Sequence, residues 1–597
     1  MNYPPRQEKQ GEAGTGHPGT AALLSFFVRS KALQAKRLVQ DILWRNSRLE
    51  EGVEEDFPFV IAESVSPLRT NPDSRERYLQ LGKIENLRLA CRKIHRRILA
   101  PDQVFSFWQQ VGAPWRLRGF KDGREVREGC VIPTTGGGLC QLSGSLAQVA
   151  LSTDCELIER HRHTALPNDV PYDPRRDATI FWNYVDLRFQ TSVPIFFECY
   201  LTADALIVRT RAKSPKASVF RIEATQHGCA PSRIDASCLT CFKTTCMLQR
   251  NPPEEDSPEI RRTAFLLDEP QAEFVAYVDR SVRGGDQLLM RDSEWTSRFS
   301  AGKHPETAVK AFPLFRLRRS WELRSTVVRG GTVAKAHFKL AEILTGKYRK
   351  RIDYDVEHIC VAQPLLPHLW KSGFLGGRSF DVLMYRLPVT VLEEKLDAAS
   401  ALYPHCKTLQ EFRAPKWFAN AEGQALNAAR RILTPHSQIA GLFNNAARLE
   451  WVTPEADTKS VAGDRQKDLI VFFGPTLARK GAYAVREIVK KMDIELTVVG
   501  SELEGPEFWR GVRVNRIDLA DLHWDRIHTV LQPALFEFWP RHLLRAHAAG
   551  SQLLISPGCG IEEDHKRGVY HVPFGDTASA VAILETLLAN RGEILCV

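Results

Sequence analysis

The sequence predicts an α+β domain near the N-terminus, then a C-terminal α/β region with two Rossmann-like, doubly wound parallel sheets. Three observations predict this. Between residues 179 and 211, short apolar runs alternate in the β manner after two helical stretches. Beyond residue 256, apolar strands alternate with helical segments, and the strands are continuously apolar, as parallel strands covered on both faces must be. The chain of 597 residues, 43% hydrophobic and 25% charged, is ordinary for folded globular protein and long enough for about four units at ~150 residues each.

In order along the chain, residues 1–20 are rich in Gly, Pro and polar types and predict no packed structure. They lack the basic-then-apolar order of a secretory signal. The apolar run 21–28 falls far short of the ~20 residues that span a bilayer. A cytoplasmic protein without a transmembrane segment is expected, in at most peripheral contact with a membrane. Residues 23–49 show helical periodicity, and a loop rich in Glu, Pro and Ser is expected over 50–73. Residues 75–99 read as an amphipathic helix, with Ser74 as N-cap and Pro101 just beyond its end. Strands are expected at 179–182, 193–200 and 206–211. Near the C-terminus, strands are expected at 467–474, 495–500, 529–533 and 552–556, with helices at 482–492 and 541–549. These elements divide the chain into 1–55 (tail and first helix), 56–213 (the α+β domain), 214–255 (a cysteine-bearing segment and linker), 256–430 and 431–597 (two α/β halves).

The net charge of +10 permits anionic ligands without requiring nucleic acid, and no nucleic-acid-binding motif is present. Thirteen cysteines, an odd number in a chain expected in a reducing compartment, point to free, metal-bound or catalytic thiols.

Gly136-Gly137-Gly138-Leu139-Cys140-Gln141-Leu142-Ser143 opens a predicted helix, and Glu159-Arg160-His161-Arg162-His163-Thr164 follows. A thiol at a helix start sits where unpaired N–H groups and the dipole favour its anion. Glycines let the chain bend and another molecule approach. His161 and His163 share one face of a strand, so one could accept the thiol proton while the other binds substrate. Candidates to orient the histidine are Asp169, Asp177 and Asp186. The bland alternative is a small cysteine packed on a helix.

Together with Asn86-Leu87-Arg88-Leu89-Ala90, Val104-Phe105-Ser106-Phe107-Trp108, Val111-Gly112, Arg118-Gly119-Phe120 and Asn183-Tyr184-Val185-Asp186-Leu187-Arg188-Phe189, these segments resemble the VanW family over about residues 60–212. That family takes its name from an accessory protein of vancomycin-resistance clusters, and the resemblance implies a cell-wall setting by association. Gly136, Gly137, Gly138, Gln141, Ser143 and Asp186 are the candidate substrate-binding positions around the Cys140–His161–His163 site.

Cys238 and Cys241 form a CxxC, with Cys246 and Cys229 nearby. Four thiolates meet the need of a tetrahedral zinc site, and an iron–sulfur cluster uses the same ligands. Plain reduced cysteines in a loop are the alternative.

Gly474-Pro475-Thr476-Leu477-Ala478-Arg479-Lys480-Gly481 joins a predicted strand to a helix, where glycine and a helix start suit a phosphate. Residues 430–590 resemble the nucleotide-sugar half of retaining GT-B glycosyltransferases, which makes 256–430 the acceptor-side half, with Gly330-Gly331-Thr332 as its glycine-rich loop. In that family an arginine and a lysine hold the donor diphosphate, and a Glu-x7-Glu segment brackets the donor. Lys480 and Glu537 match. Pro475 stands in the arginine's place and Arg545 in that of the second glutamate. Arg545 has no acceptor for ribose hydroxyls but suits phosphate. Gly474, Gly481 and Arg541 complete the expected donor site.

The leading expectation is sugar transfer from a nucleotide sugar to a glycan in envelope metabolism. Acyl transfer or amide hydrolysis at Cys140, with a C-terminal region that only recognises glycan, is the second. A non-enzymatic scaffold is the third.

Overall fold

The computed structural model describes residues 48–69, 76–153 apart from 128–129, 155–162, 177–216 apart from 183, 219–223, 261–291, 308–312, 314–328, 333–410, 413–454 and 467–589, with isolated positions between 28 and 39. The chain forms two compact units, Met1–Pro258 and Glu259–Val597.

The first unit is built on β1 (Glu50–Glu51), β2 (Phe59–Pro67), α1 (Arg77–Ile94), β3 (Arg97–Leu99), β4 (Val104–Ser106), α2 (Phe107–Val111), β5 (Asp122–Arg127), β6 (Cys130–Thr135), α3 (Cys140–Ser152), β7 (Glu156–Glu159), β8 (Arg188–Gln190), β9 (Ile195–Leu201), β10 (Ala205–Ala212) and β11 (Phe220–Glu223). Its main sheet runs β1-β3-β9-β10-β2-β11, and only β11 lies parallel to its neighbour. Helices α1 and α3 cover it through Ile84, Leu87, Leu142 and Leu146. A smaller sheet, β4-β8-β7, and the β5–β6 hairpin complete the α+β unit.

Three expectations fail here. The loop expected over 50–73 contains β2, a nine-residue strand between two others. The helix expected to reach residue 99 stops at Ile94. Arg96 takes a left-handed φ of 59°, and Arg97–Leu99 turns back to pair with β9. The strand expected over 179–182 makes only isolated bridges, His161 with Thr179 and Phe181 with Val185.

The second unit comprises β12 (Thr263–Leu267), α4 (Ala272–Ser281), β13 (Gln287–Met290), β14 (Ala308–Ala311), α5 (Leu314–Val328), α6 (Val333–Arg349), β15 (His358–Ala362), α7 (Leu366–Lys371), β16 (Ser379–Leu383), α8 (Val389–Leu402), α9 (Lys416–Ala428), β17 (Arg431–Thr434), α10 (Ser437–Ala440) and β18 (Ala446–Arg448). It continues with β19 (Leu469–Phe473), α11 (Ala482–Met492), β20 (Leu496–Val499), β21 (Val514–Ile517), β22 (Ile527–Gln532), α12 (Arg541–Ala548), β23 (Gln552–Ile555), β24 (Val569–His571) and α13 (Thr577–Ala589). Both sheets are parallel: β14-β13-β12-β15-β16-β17-β18 and β21-β20-β19-β22-β23-β24. Each has the strand order of a Rossmann fold, starting in the middle and reversing direction once. The reversals lie between β12 and β15 and between β19 and β22. The central strands are largely apolar because helices cover both faces; His358-Ile359-Cys360-Val361-Ala362 is wholly buried. The first sheet runs past the expected division at residue 430, since β17 and β18 are its last strands.

The two halves touch at specific points. Buried Glu273 on α4 is ion-paired with Arg541 at the start of α12, and its Oε1 accepts from Val452 N at 2.9 Å. The His436 ring, before α10, stacks on Phe536 of the second half at 4.6 Å. Glu504 accepts from Thr408 Oγ1 at 2.6 Å and from Ala478 N at 2.8 Å.

Candidate functional site

In the first unit, β6 delivers the chain into the glycine turn, and α3 begins at Cys140. Gly136 and Gly138 have φ of 83° and 91°, the left-handed region where a Cβ is strained. The space around them is filled by the chain itself. A Cβ on Gly138 would lie 2.0 Å from Lys83 Cγ, and one on Gly137 would lie 2.5 Å from the Gly123 carbonyl. Asn86 on α1 clasps the turn: its Nδ2 donates to Gly137 O at 3.0 Å and to Lys121 O at 2.9 Å, and its Oδ1 accepts from Lys121 N at 2.8 Å. The glycines therefore admit α1 and the hairpin. Gln141 Nε2 ties α3 to β2 through Ser66 Oγ at 2.9 Å and Pro67 O at 2.8 Å. Ser143 is buried and donates to Ala178 O at 2.5 Å.

Cys140 is half-buried. Its Sγ lies 3.8 Å from Thr179 Oγ1 and 3.9 Å from Ile180 O. Thr179 is bridged to His161, whose carbonyl accepts from Thr179 N at 2.9 Å. Directly opposed residues of an antiparallel bridge project to the same side, so the exposed His161 ring shares a side with the hydroxyl that touches Cys140. His161 Nε2 itself faces Glu159 Oε1 at 3.3 Å. Glu159 Oε1 also accepts from Asp186 N at 3.0 Å, and its other oxygen lies 3.6 Å from Arg188 Nε. The carboxylate that orients the histidine is thus Glu159. Asp186, one of the aspartates expected in that role, is buried and accepts from Ser106 Oγ at 2.6 Å, Leu187 N at 2.9 Å and Arg188 Nε at 3.0 Å. Burial raises its carboxyl, opposed by the Ser106 bond and Arg188. It pins β8 to the start of α2. His163 and Asp169 lie outside the described residues, as do Cys229, Cys238, Cys241 and Cys246 and the Gly330-Gly331-Thr332 segment. Among the described residues no group of three or more His, Cys, Asp or Glu is arranged to hold a metal ion.

In the second unit, the loops after β19 and β22 flank the second sheet's reversal, where doubly wound sheets bind ligands. Lys480 precedes α11 and is ion-paired with Glu537 from the loop after β22; both side chains are mostly buried, 14% and 12% exposed. Gln532 stitches the two loops, accepting from Phe473 N at 3.0 Å and donating to Lys480 O at 3.3 Å. Gly481, at φ 87°, lets α11 start against the next loop: a Cβ there would lie 2.4 Å from Pro533 O. Gly474 plays the same part against Val499 O, 2.9 Å from its Cβ position. His542 stacks on Phe473 at 5.2 Å, and burial lowers its basicity, with Glu537 opposing and Lys480 and Arg545 adding to the fall. The Arg545 guanidinium lies over the Trp524 ring at 4.4 Å. The Lys480–Glu537 ion pair thus has the His542 ring and the Arg545 guanidinium in its neighbourhood. Arg541 is turned to Glu273 and Val452 O instead. His542 was not expected from sequence, although it sits between two arginines already marked.

Comparison with known proteins follows the same division. Residues 82–211 match the family model described as VanW like protein. This segment is a VanW-like domain. The chain is 28% identical over 154 residues to the vancomycin B-type resistance protein VanW of Enterococcus faecalis, covering 25% of this chain and 56% of that protein. It is 35% identical over 110 residues to the protein YoaR of Bacillus subtilis, covering 18% of this chain and 35% of that one. The chain thus spans only about half, or less, of the curated relatives it matches. Solved structures similar to it include sucrose-phosphate synthase from Thermosynechococcus elongatus (TM-score 0.34, 12% identity, 56% of this chain and 91% of that one). Another is HepE of Anabaena in complex with UDP and glucose (TM-score 0.33, 10% identity, 56% and 91%). The expected α+β VanW-like domain is present, and so are two Rossmann-like parallel sheets after it.

Proposed function

We propose that the second unit transfers a sugar from a nucleoside-diphosphate sugar to a glycan acceptor, in a cell-wall or envelope setting. The observation that carries this reading is the Lys480–Glu537 pair, contributed by the two loops that flank the second sheet's reversal. Lys480 supplies positive charge for the donor diphosphate, and Arg545 adds a second cation in place of a hydroxyl acceptor. Glu537 accepts hydrogen bonds from sugar hydroxyls once the donor draws Lys480 away. In the transfer, the bond from the anomeric carbon to the diphosphate oxygen breaks and its electron pair leaves with the diphosphate. The acceptor oxygen bonds to that carbon and releases its proton. The preorganised cations stabilise the charge that builds on the leaving group. The test is titration calorimetry of the full chain with UDP and other nucleoside diphosphates, followed by assay of nucleotide-sugar turnover. Binding of none of them sinks the reading.

One observation favours a second activity in the VanW-like domain. The Glu159–His161 contact, with Cys140 Sγ near the side chain of Thr179, the backbone bridge partner of His161, brings together the carboxylate, imidazole and thiol used in nucleophilic catalysis. In this reading Cys140 attacks an acyl carbonyl, His161 takes the thiol proton, and the acyl bond to the amine or alcohol breaks as that leaving group receives the proton from His161. Alkylation at neutral pH should then modify Cys140 faster than half-buried Cys155, and His161→Ala should remove the difference. Equal rates would end this reading.

A further inference from the structure

Helix α5 (Leu314–Val328) is amphipathic in an unusual sense. Its inward side is anchored by buried Phe315, by Leu323 packed on the core, and by buried Glu322, which is ion-paired with Lys339 of α6. Its outward side is also apolar. Leu317, Trp321 and Val328 are 71%, 57% and 85% exposed. Their spacing of four and seven residues puts them in one stripe, because a helix repeats every 3.6 residues. Exposed Arg324 falls within the stripe, between Trp321 and Val328, and exposed Arg318 lies beside it; α5 carries two more arginines, exposed Arg316 and half-exposed Arg319, the latter 3.9 Å from Glu269. The one acidic residue of the helix, Glu322, is on the inward side.

We propose that α5 is a membrane-surface helix, seating Leu317, Trp321 and Val328 in the interface of a bilayer rich in anionic lipid while its arginines meet the headgroups. Charge complementarity selects this occupant: an outward face of apolar residues and arginines, with no exposed carboxylate on the helix itself, fits an anionic bilayer. The size of the stripe argues against a second copy of the chain. A stable protein interface takes about 20–30 residues a side, whereas a few apolar side chains and basic flanks suffice for interfacial binding. A sugar-transferring unit docked this way would meet acceptors held in the membrane, but the docking itself does not rest on that activity.

The test is co-sedimentation of the full chain with vesicles of phosphatidylcholine alone or doped with phosphatidylglycerol, across a salt series. Binding should require the anionic lipid and weaken as salt rises. Leu317→Ser/Trp321→Ser and Arg318→Glu/Arg324→Glu should each cut partitioning by roughly tenfold or more, with unchanged circular dichroism and unchanged UDP titration. No binding to doped vesicles, or binding that both variants retain, would overturn the proposal. So would a dimer in sedimentation velocity that Trp321→Ser dissolves, since the stripe would then be a protein interface.

Discussion

Replacing Lys480 tests the donor site and the packing of the second unit together. The Lys480 ammonium and the Glu537 carboxylate are mostly removed from water and neutralise each other. Taking away one partner strands the other. A buried charge without its counter-ion costs about 3–5 kcal/mol, whereas replacing both by apolar groups of similar volume is close to neutral. Lys480→Met and Glu537→Leu should therefore each lower the unfolding free energy of the second unit by about 3 kcal/mol or more, and the double variant should recover most of the loss. The coupling energy from the cycle should then be roughly 3 kcal/mol or more. Urea denaturation followed by circular dichroism and tryptophan fluorescence measures it. Binding should not recover with stability. Without the lysine, UDP should bind at least about tenfold more weakly in both Lys480→Met and the double variant, the loss of one charge-assisted contact. Single variants costing under about 1 kcal/mol would show a solvated pair and refute the energetic reasoning. A Lys480→Met chain that binds UDP as tightly as the parent would refute the donor site.

Asn86→Ala should destabilise the VanW-like domain by about 2–4 kcal/mol, because three buried hydrogen bonds are lost and the Lys121 and Gly137 groups are left unpaired; urea titration reads it, and a loss under about 1 kcal/mol would show that the turn holds itself. Gly138→Ala should cost about 2 kcal/mol or more from its left-handed backbone and the crowding at Lys83, seen as faster amide exchange at the start of α3. The buried His436 ring is held neutral, its pKa pushed down to about 4 by burial. Its ordinary value lies near 6.5, so the unfolded chain binds the proton more readily. Stability is therefore full above pH 6.5 and falls by about 3 kcal/mol as pH drops to 4. His436→Phe should flatten that slope in the second unit's transition, and an unchanged slope would assign it elsewhere.

The four central strands of the second sheet were legible because helices on both faces demand unbroken apolar runs, and Leu469-Ile470-Val471-Phe472-Phe473 shows one; the edge strands β21 and β24 were not, since Val514-Asn515-Arg516-Ile517 carries two exposed polar residues. Strand β2 was not, because half its residues look like loop. Glu63 is buried against Arg209, Ser64 donates to Gln148 at 2.7 Å, and Ser66 accepts from Gln141. Those partners come from distant parts of the chain, so local composition misleads. The apolar spacing of α1 continues past Ile94, and only the turn at Arg96 converts it to a strand. In the candidate site, the Gly136–Cys140 turn was found by its residue types, but its packing partners Asn86 and Lys83 lie on another helix. Glu159 could have been found. It stands two residues before His161, and a two-residue period puts both on one side of a strand. His542 and Trp524 meet only through the fold.

Arg541 is where the first half of the second unit grips the second half. It begins α12, the helix that also carries His542 and Arg545, and its guanidinium is fixed to a carboxylate sunk in α4. Separating them would leave Glu273 stranded, so this pair resists a swing of the halves, as do the His436–Phe536 stack and the Thr408–Glu504 bond. The helix then behaves as a lever with one end bolted down. A shift at the Glu273 end is passed along one short helix to the imidazole and guanidinium near Lys480 and Glu537.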